Sequence, residues 1–381
     1  MSDPNWAARR RRARQRRLAA IAAALAATGA AAWLFALGGS DPEQAVAAPE
    51  TAVLTISAVR TERAVKPARS RLGSGKPVTL AFGGDVHFES PIRERLASSP
   101  ASVLAPIAPV LKRADIAMVN LETAVSDRGT PAPKAYVFRA PATAFDALRA
   151  GGVDVTTIAN NHGMDYGTVG LADTLKAGRR AALPVVGAGW NDTQAYAPYR
   201  QTVNGQRIAI IAATQVLDDH LISAWTAGPG KMGLASAKDE ERLLRAVRNA
   251  RKRSDTVVVF LHWGLELSGC PTSYQTALAG RLAAAGADVI VGSHAHVLLG
   301  AGMKGKALVA YGLGNFVFYA GREETVRSGV LEVTVTGRRV DGYRWVPARI
   351  SGGIPYPLSG TDAAASRASW RGLRSCTDLR Q

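Results

Sequence analysis

Short, largely apolar runs recur along this chain, each stopping at a polar cluster, and that pattern admits few architectures. Residues 78–82 run into Gly83-Gly84-Asp85, 116–119 into Asn120-Leu121-Glu122, and 155–159 into Asn160-Asn161-His162. Residues 257–261 end at His262, 289–291 at Gly292-Ser293-His294, and 308–310 run towards Gly312-Leu313-Gly314-Asn315. Uniformly apolar runs of this length read as strands buried on both faces. Between them, residues 144–150, 169–181, 239–252 and 273–285 have helical composition and apolar spacing. Strands alternating with helices imply an α/β sheet, whose sites gather just beyond strand ends. Residues 330–335 and 340–346 around Gly337 read as a hairpin, and the last thirty residues are weakly patterned. The glycine pairs at 83–84 and 312/314 read as tight turns.

Five of the six histidines fall in those strand-end clusters, and His220 alone reads as a surface or loop residue. Asp85 and His87 alternate past one strand end, Glu122 follows another, and Asn161 offers a neutral oxygen. His262 follows a third strand, and His294 and His296 are again spaced by two. These seven residues are candidate metal ligands, enough for two ions sharing one carboxylate. Paired ions lower the pKa of a bound water and clamp both oxygens of a displacement. Imidazole with carboxylate favours manganese, iron or zinc. His162, beside Asn161, is the candidate catalytic acid.

The first fifty residues differ in kind. Seven arginines crowd residues 1–17, and residues 18–37 then run without a charge. Twenty such residues match the thickness of a bilayer. Arginines on the N-terminal side predict a cytoplasmic N-terminus and an extracytoplasmic remainder, a single-pass protein of the cell membrane. A cleaved signal peptide, with Ala45-Val46-Ala47 as the processing site, is the competing reading. The expected organisation is a basic segment over 1–17, an anchor over 18–37, a linker over 38–76, a main domain over 77–323, and a hairpin and tail of that domain over 324–381. The formal charge is +17, of which +6 lies in residues 1–17. The basic remainder suits an anionic polymer or anionic lipid, or reflects composition alone. No nucleic-acid motif is present. Cys270 and Cys376 would pair in an oxidising compartment; two free buried thiols are the alternative.

Asp85-x-His87, Asn161-His162, His262 and Gly292-Ser293-His294-Ala295-His296 resemble the motif series of calcineurin-like metallophosphoesterases. Gly84-Asp85-Val86, Asn120-Leu121-Glu122, Ala159-Asn160-Asn161-His162 with Asp165-Tyr166-Gly167, His262-Trp263-Gly264 with Glu266, and Gly312-Leu313-Gly314-Asn315-Phe316 resemble the CapA family. That family is associated with capsule and poly-γ-glutamate synthesis. Over about residues 77–320 the resemblance implies a four-layer αββα sandwich of metallophosphatase type. It implies one metal held by Asp85, His87, Glu122 and His296, and another by Glu122, Asn161, His262 and His294. His162 would be the catalytic acid, supported by Asn120, Asn160, Asp165, Glu266 and Asn315. Glu122 stands where the phosphoesterase pattern has aspartate, and His87 where CapA proteins often carry methionine.

Three functions follow: a surface metal-dependent hydrolase in capsule or polyglutamate metabolism, a non-catalytic polymer-binding component of a synthesis or export complex, or a general secreted phosphoesterase. Fold alone does not choose among them.

Overall fold

The computed structural model describes residues 71–381. The basic segment, the anchor and the linker up to residue 70 lie outside the described residues. Among the described residues, no helix is long and apolar enough to cross a membrane.

Two sheets carry the fold. The first comprises β1 (Val78–Val86), β2 (Ile116–Leu121), β3 (Val155–Thr157) and β4 (Val185–Val186), all parallel. The second comprises β5 (Tyr199–Val203), β6 (Gln206–Thr214), β7 (Thr256–His262), β8 (Val289–Ser293), β9 (Ala301–Lys304) and β10 (Ala307–Ala310). Its strand order is β9-β10-β8-β7-β6-β5, parallel from β10 to β6 with antiparallel edges. The chain then returns to the first sheet. There β11 (Asn315–Val317) pairs with the end of β1, and β12 (Arg327–Thr336), β13 (Arg339–Ser351) and β14 (Ile354–Pro357) complete the order β14-β13-β12-β1-β2-β3-β4.

Alternating side chains explain the layering. Ile208, Ile210 and Ala212 of β6 share a core with Leu80 and Phe82 of β1 and with Val258 and Phe260 of β7, so the sheets face each other. The next residues along β6, Ala209 and Ile211, point the other way, onto Leu243 and Val247 of α4 (Glu240–Arg251) and Leu278 and Leu282 of α5 (Ser273–Ala285). On the first sheet, Ala81, Ala117 and Val119 pack under Leu96 of α1 (Ile92–Ser98), Phe145 and Leu148 of α2 (Thr143–Ala150), and Leu171 of α3 (Gly167–Arg180). Strands covered on both faces are mostly apolar on both, which is why their runs do not alternate.

Several expectations are corrected. The hairpin β5–β6 was not anticipated; its turn, Asn204-Gly205, has positive φ at both residues, the two-residue turn that matches strand twist. The last thirty residues are ordered: they form β14, α6 (Gly360–Gly372) and a short 3-10 turn, Leu373–Cys376. Trp370 of α6 stacks on Trp345 of β13 at 5.2 Å, anchoring the tail to the core. Residues 71–76, assigned to the linker, are bonded to the domain: Gln206 Nε2 donates to the carbonyls of Leu72 and Lys76. Gly83 and Gly84 lie within β1 rather than in a turn, and a Cβ at Gly84 would sit 1.9 Å from the Gly314 carbonyl oxygen. The strand requires glycine there because the 312–314 loop crosses it. Cys270 and Cys376 form a disulfide with Cα atoms 5.7 Å apart.

Candidate metal centre

Strand register assembles the site. Asp85 on β1 lies level with Asn120 on β2 and Asn315 on β11, and His262 on β7 lies level with Ser293 on β8. Both rows sit at the C-terminal ends of their parallel strands. Asp85, Glu122 and His262 are buried; His294 is nearly so, and His296 is partly open.

Hydrogen bonds hold the cluster rigid. Asn120 Nδ2 donates to Asp85 Oδ1 at 2.7 Å, and Asn160 Nδ2 donates to Asn120 Oδ1 at 2.9 Å. The His294 N–H donates to Asp85 Oδ2 at 3.1 Å. His262 Nδ1 lies 3.0 Å from Ser293 Oγ, while its Nε2 faces Asn161 Oδ1 at 2.7 Å. His296 Nδ1 lies 2.8 Å from Asn315 Oδ1. His162 Nδ1 lies 2.6 Å from Asp165 Oδ2. His294 and His296 both adopt left-handed backbone, with φ of 95° and 57°. Such strain, of order 1–3 kcal/mol per residue, persists where surrounding structure enforces it, commonly at functional sites.

Ligand atoms meet in two groups that share one residue. Glu122, His262 and His294 form one, and Asp85, Glu122 and His296 form the other; within each, the atoms lie within 4.8 Å of one another. Glu266 forms a third group with His294 and His296 at the exposed edge. Neither oxygen of Glu122 accepts a hydrogen bond, although the residue is fully buried, and His294 Nδ1 is likewise unpartnered. Orphaned buried polar atoms are costly unless something satisfies them. A pair of divalent cations would do so, and neutral imidazoles with carboxylates are the donors that manganese, iron and zinc prefer. The donor set therefore fits the group.

Electrostatics agree. Burial raises Glu122 well above the usual carboxylate range, and the charge of Asp85 adds to the shift. Burial also raises Asp85, opposed by His296 and by the Asn120 and His294 donors. Burial lowers His262 well below its usual value and His294 to about 3, with neighbouring imidazoles adding. Burial thus weighs against charge on the carboxyls and the imidazoles alike. A bound cation would offset that cost for the carboxylates, and neutral imidazoles present lone pairs to it.

His87 stands apart from both groups. The Glu89 N–H reaches its Nδ1 at 3.0 Å and the Tyr319 N–H its Nε2 at 3.3 Å. Its ring lies among Phe138, Phe318 and Tyr319 in an aromatic wall, and Phe138 also stacks on His162 at 4.0 Å. His220 lies in an exposed loop, against the Pro133 carbonyl. Two contributors escaped the sequence reading. Lys134 Nζ bonds Asp165 Oδ1 at 2.9 Å and the Asn161 carbonyl, behind His162. Ser293 orients His262. Lys134 sits in a Pro-rich loop where nothing local marks it; Ser293 stands beside His294 but has no ligand chemistry of its own.

An α/β fold with a carboxylate–imidazole centre at its strand ends defines the class. Residues 79–320 match the family described as bacterial capsule synthesis protein PGA_cap, and the chain belongs to that family. It is similar to the capsule biosynthesis protein CapA of Bacillus anthracis, at 31% identity over 83% of this chain and 78% of that one. It is also similar to the PGA biosynthesis protein CapA of Bacillus subtilis, at 29% identity over 82% of each. Distant likenesses among solved structures include the 5'-nucleotidase of Candida albicans, with 11% identity and a TM-score of 0.41 over 78% of this chain and 58% of that one.

Proposed function

We propose that this protein is a membrane-anchored, extracytoplasmic, dinuclear metal-dependent hydrolase acting in capsule or poly-γ-glutamate metabolism, on a phosphoester or a γ-glutamyl amide. The observation that carries the reading is Glu122: buried, without a donor to either oxygen, and common to two ligand groups. Asp85 and His296 would complete one manganese, iron or zinc position; His262, His294 and Asn161 would complete the other. Such ions supply a nucleophilic hydroxide at neutral pH and stabilise developing negative charge.

The chain's own residues supply the rest. Asp165 holds His162 by Nδ1, leaving Nε2 directed towards the centre, 3.9 Å from Glu122 Oε1. Lys134 pins the far oxygen of Asp165, so the imidazole cannot swing away. His162 would deliver a proton from Nε2 to the leaving oxygen or nitrogen. Phe138 and the aromatic wall exclude water from that side. The residue 18–37 segment supports the anchor, and the names of the relatives support an anionic polymer substrate handled beside other synthesis proteins.

The test is His162→Ala, assayed on poly-γ-glutamate chain length and on small phosphoesters, with metal content measured in parallel. Loss of turnover of about 10²–10⁴-fold with metal retained is expected. Unchanged turnover in the variant would remove His162 from the mechanism. No turnover by the parent, together with salt-sensitive polymer binding, would favour a non-catalytic component.

A further inference from the structure

At the end of the domain opposite the metal centre lies a groove of mixed cationic and apolar lining. Arg71, Lys304, Lys306, Arg338 and Arg339 line it together with Leu72, Met303 and Val340. It lies between the β9–β10 turn, the β12–β13 turn and the start of β8, at the N-terminal ends of the parallel strands. One strand length, about 20 Å, separates it from His294.

The single acid lining it, Asp288, is committed elsewhere. Its Oδ2 accepts the Val257 N–H at 2.8 Å and pairs with Arg251, and its Oδ1 lies 3.8 Å from Arg338. Lys304 is paired with Asp378 and Arg339 with Asp341. Among the described residues, Lys306 has no ion-pair partner, and it is exposed, as are Arg71 and Arg338. The chain enters the domain here: Arg71 lines the groove, and the eleven residues before it hold Arg60, Arg63, Lys66 and Arg69 against Glu62. The uncharged run that reads as a membrane anchor ends at Leu37, with 33 residues between it and Arg71.

We infer that this groove docks on the anionic headgroup layer of the membrane, its cations on lipid phosphates. The metal centre then faces away from the bilayer, towards the aqueous phase. The inference rests on the anchor reading for the presence of a membrane, and is independent of the chemistry at the metal centre. Basic side chains close to an anionic surface each strengthen binding roughly fivefold, an effect that salt screens.

The experiment uses the full-length protein with phosphatidylcholine vesicles, with and without phosphatidylglycerol, read by flotation and by backbone hydrogen exchange. Flotation with neutral vesicles reports the N-terminal segment alone. The groove is read from protection at 303–307 and 337–340 that appears with phosphatidylglycerol, fades at high salt, and spares the site loop 265–268. Lys306→Glu alone should weaken that protection at least roughly fivefold, and Lys306→Glu with Arg338→Glu should abolish it. Equal protection in both vesicles would overturn the inference. So would protection elicited by soluble poly-γ-glutamate over neutral vesicles, which would make the groove a polymer site.

Discussion

Replacing Glu122 by methionine should move stability in opposite directions with and without metal. Glu122 is fully buried, both its oxygens lack a hydrogen bond, and the charge of Asp85 opposes its ionisation. An unsatisfied buried polar group costs about 1–3 kcal/mol, and methionine fills similar space without one. In chelator, Glu122→Met should therefore be more stable than the parent by about 1–3 kcal/mol, a rise of about 2–6 °C in Tm for a domain of this size. Excess manganese or zinc should reverse the order. Each of two ions at a hundred times its Kd would add about 2.7 kcal/mol to the parent, together more than the deficit, and a variant lacking the shared carboxylate should gain much less. Thermal unfolding of both proteins, each with chelator and with metal, makes the four comparisons. A variant less stable than the parent in chelator, or stabilised equally by metal, would refute the reasoning.

Other perturbations test separate parts of the account. The disulfide closes a separation of 106 residues, so Cys270→Ser with Cys376→Ser should lose about 4–5 kcal/mol in urea unfolding on the chain-entropy model; a loss below 1 kcal/mol would mean the tail is held by packing alone. Burial raises the Asp288 carboxyl to about 6 against the pull of Arg251, whose guanidinium is itself lowered by burial, so for this pair desolvation outweighs mutual attraction. A raised carboxyl means that the folded state binds the proton more tightly. The stability from that proton is full below about pH 4 and lost as pH rises through about 6, an effect of about 3 kcal/mol. Asp288→Asn should flatten this part of the pH–stability curve, and an unchanged difference between the two ends would exclude the assignment. Gly84→Ala, which places a methyl against the Gly314 carbonyl, should cost at least 2 kcal/mol and disturb metal uptake; wild-type stability would show that the loop yields freely.

Much of this cluster was legible because its residues follow strands apolar enough to be recognised alone. Asp85, Glu122, His262 and His294 each sit just past such a run, and parallel register does the rest. What escaped lacked that signature. The strand β6 is as apolar as β7, but it ends at Thr214 without a ligand-type cluster to mark it. Helix α6 is rich in alanine and serine and buries just Ala363 and Trp370, so its pattern is faint. Lys134 joins the cluster through its loop's path over Asp165, a long-range contact that no local pattern encodes. His87 shows the converse: its spacing from Asp85 is that of a ligand pair, yet backbone N–H groups and aromatic rings surround it.

The most direct measurement is the metal content of the purified full-length protein by elemental mass spectrometry, beside a variant carrying His262→Ala and His294→Ala. The account predicts about two divalent ions per chain in the parent and clear loss in the variant. A parent that retains no metal after loading with manganese or zinc would contradict it.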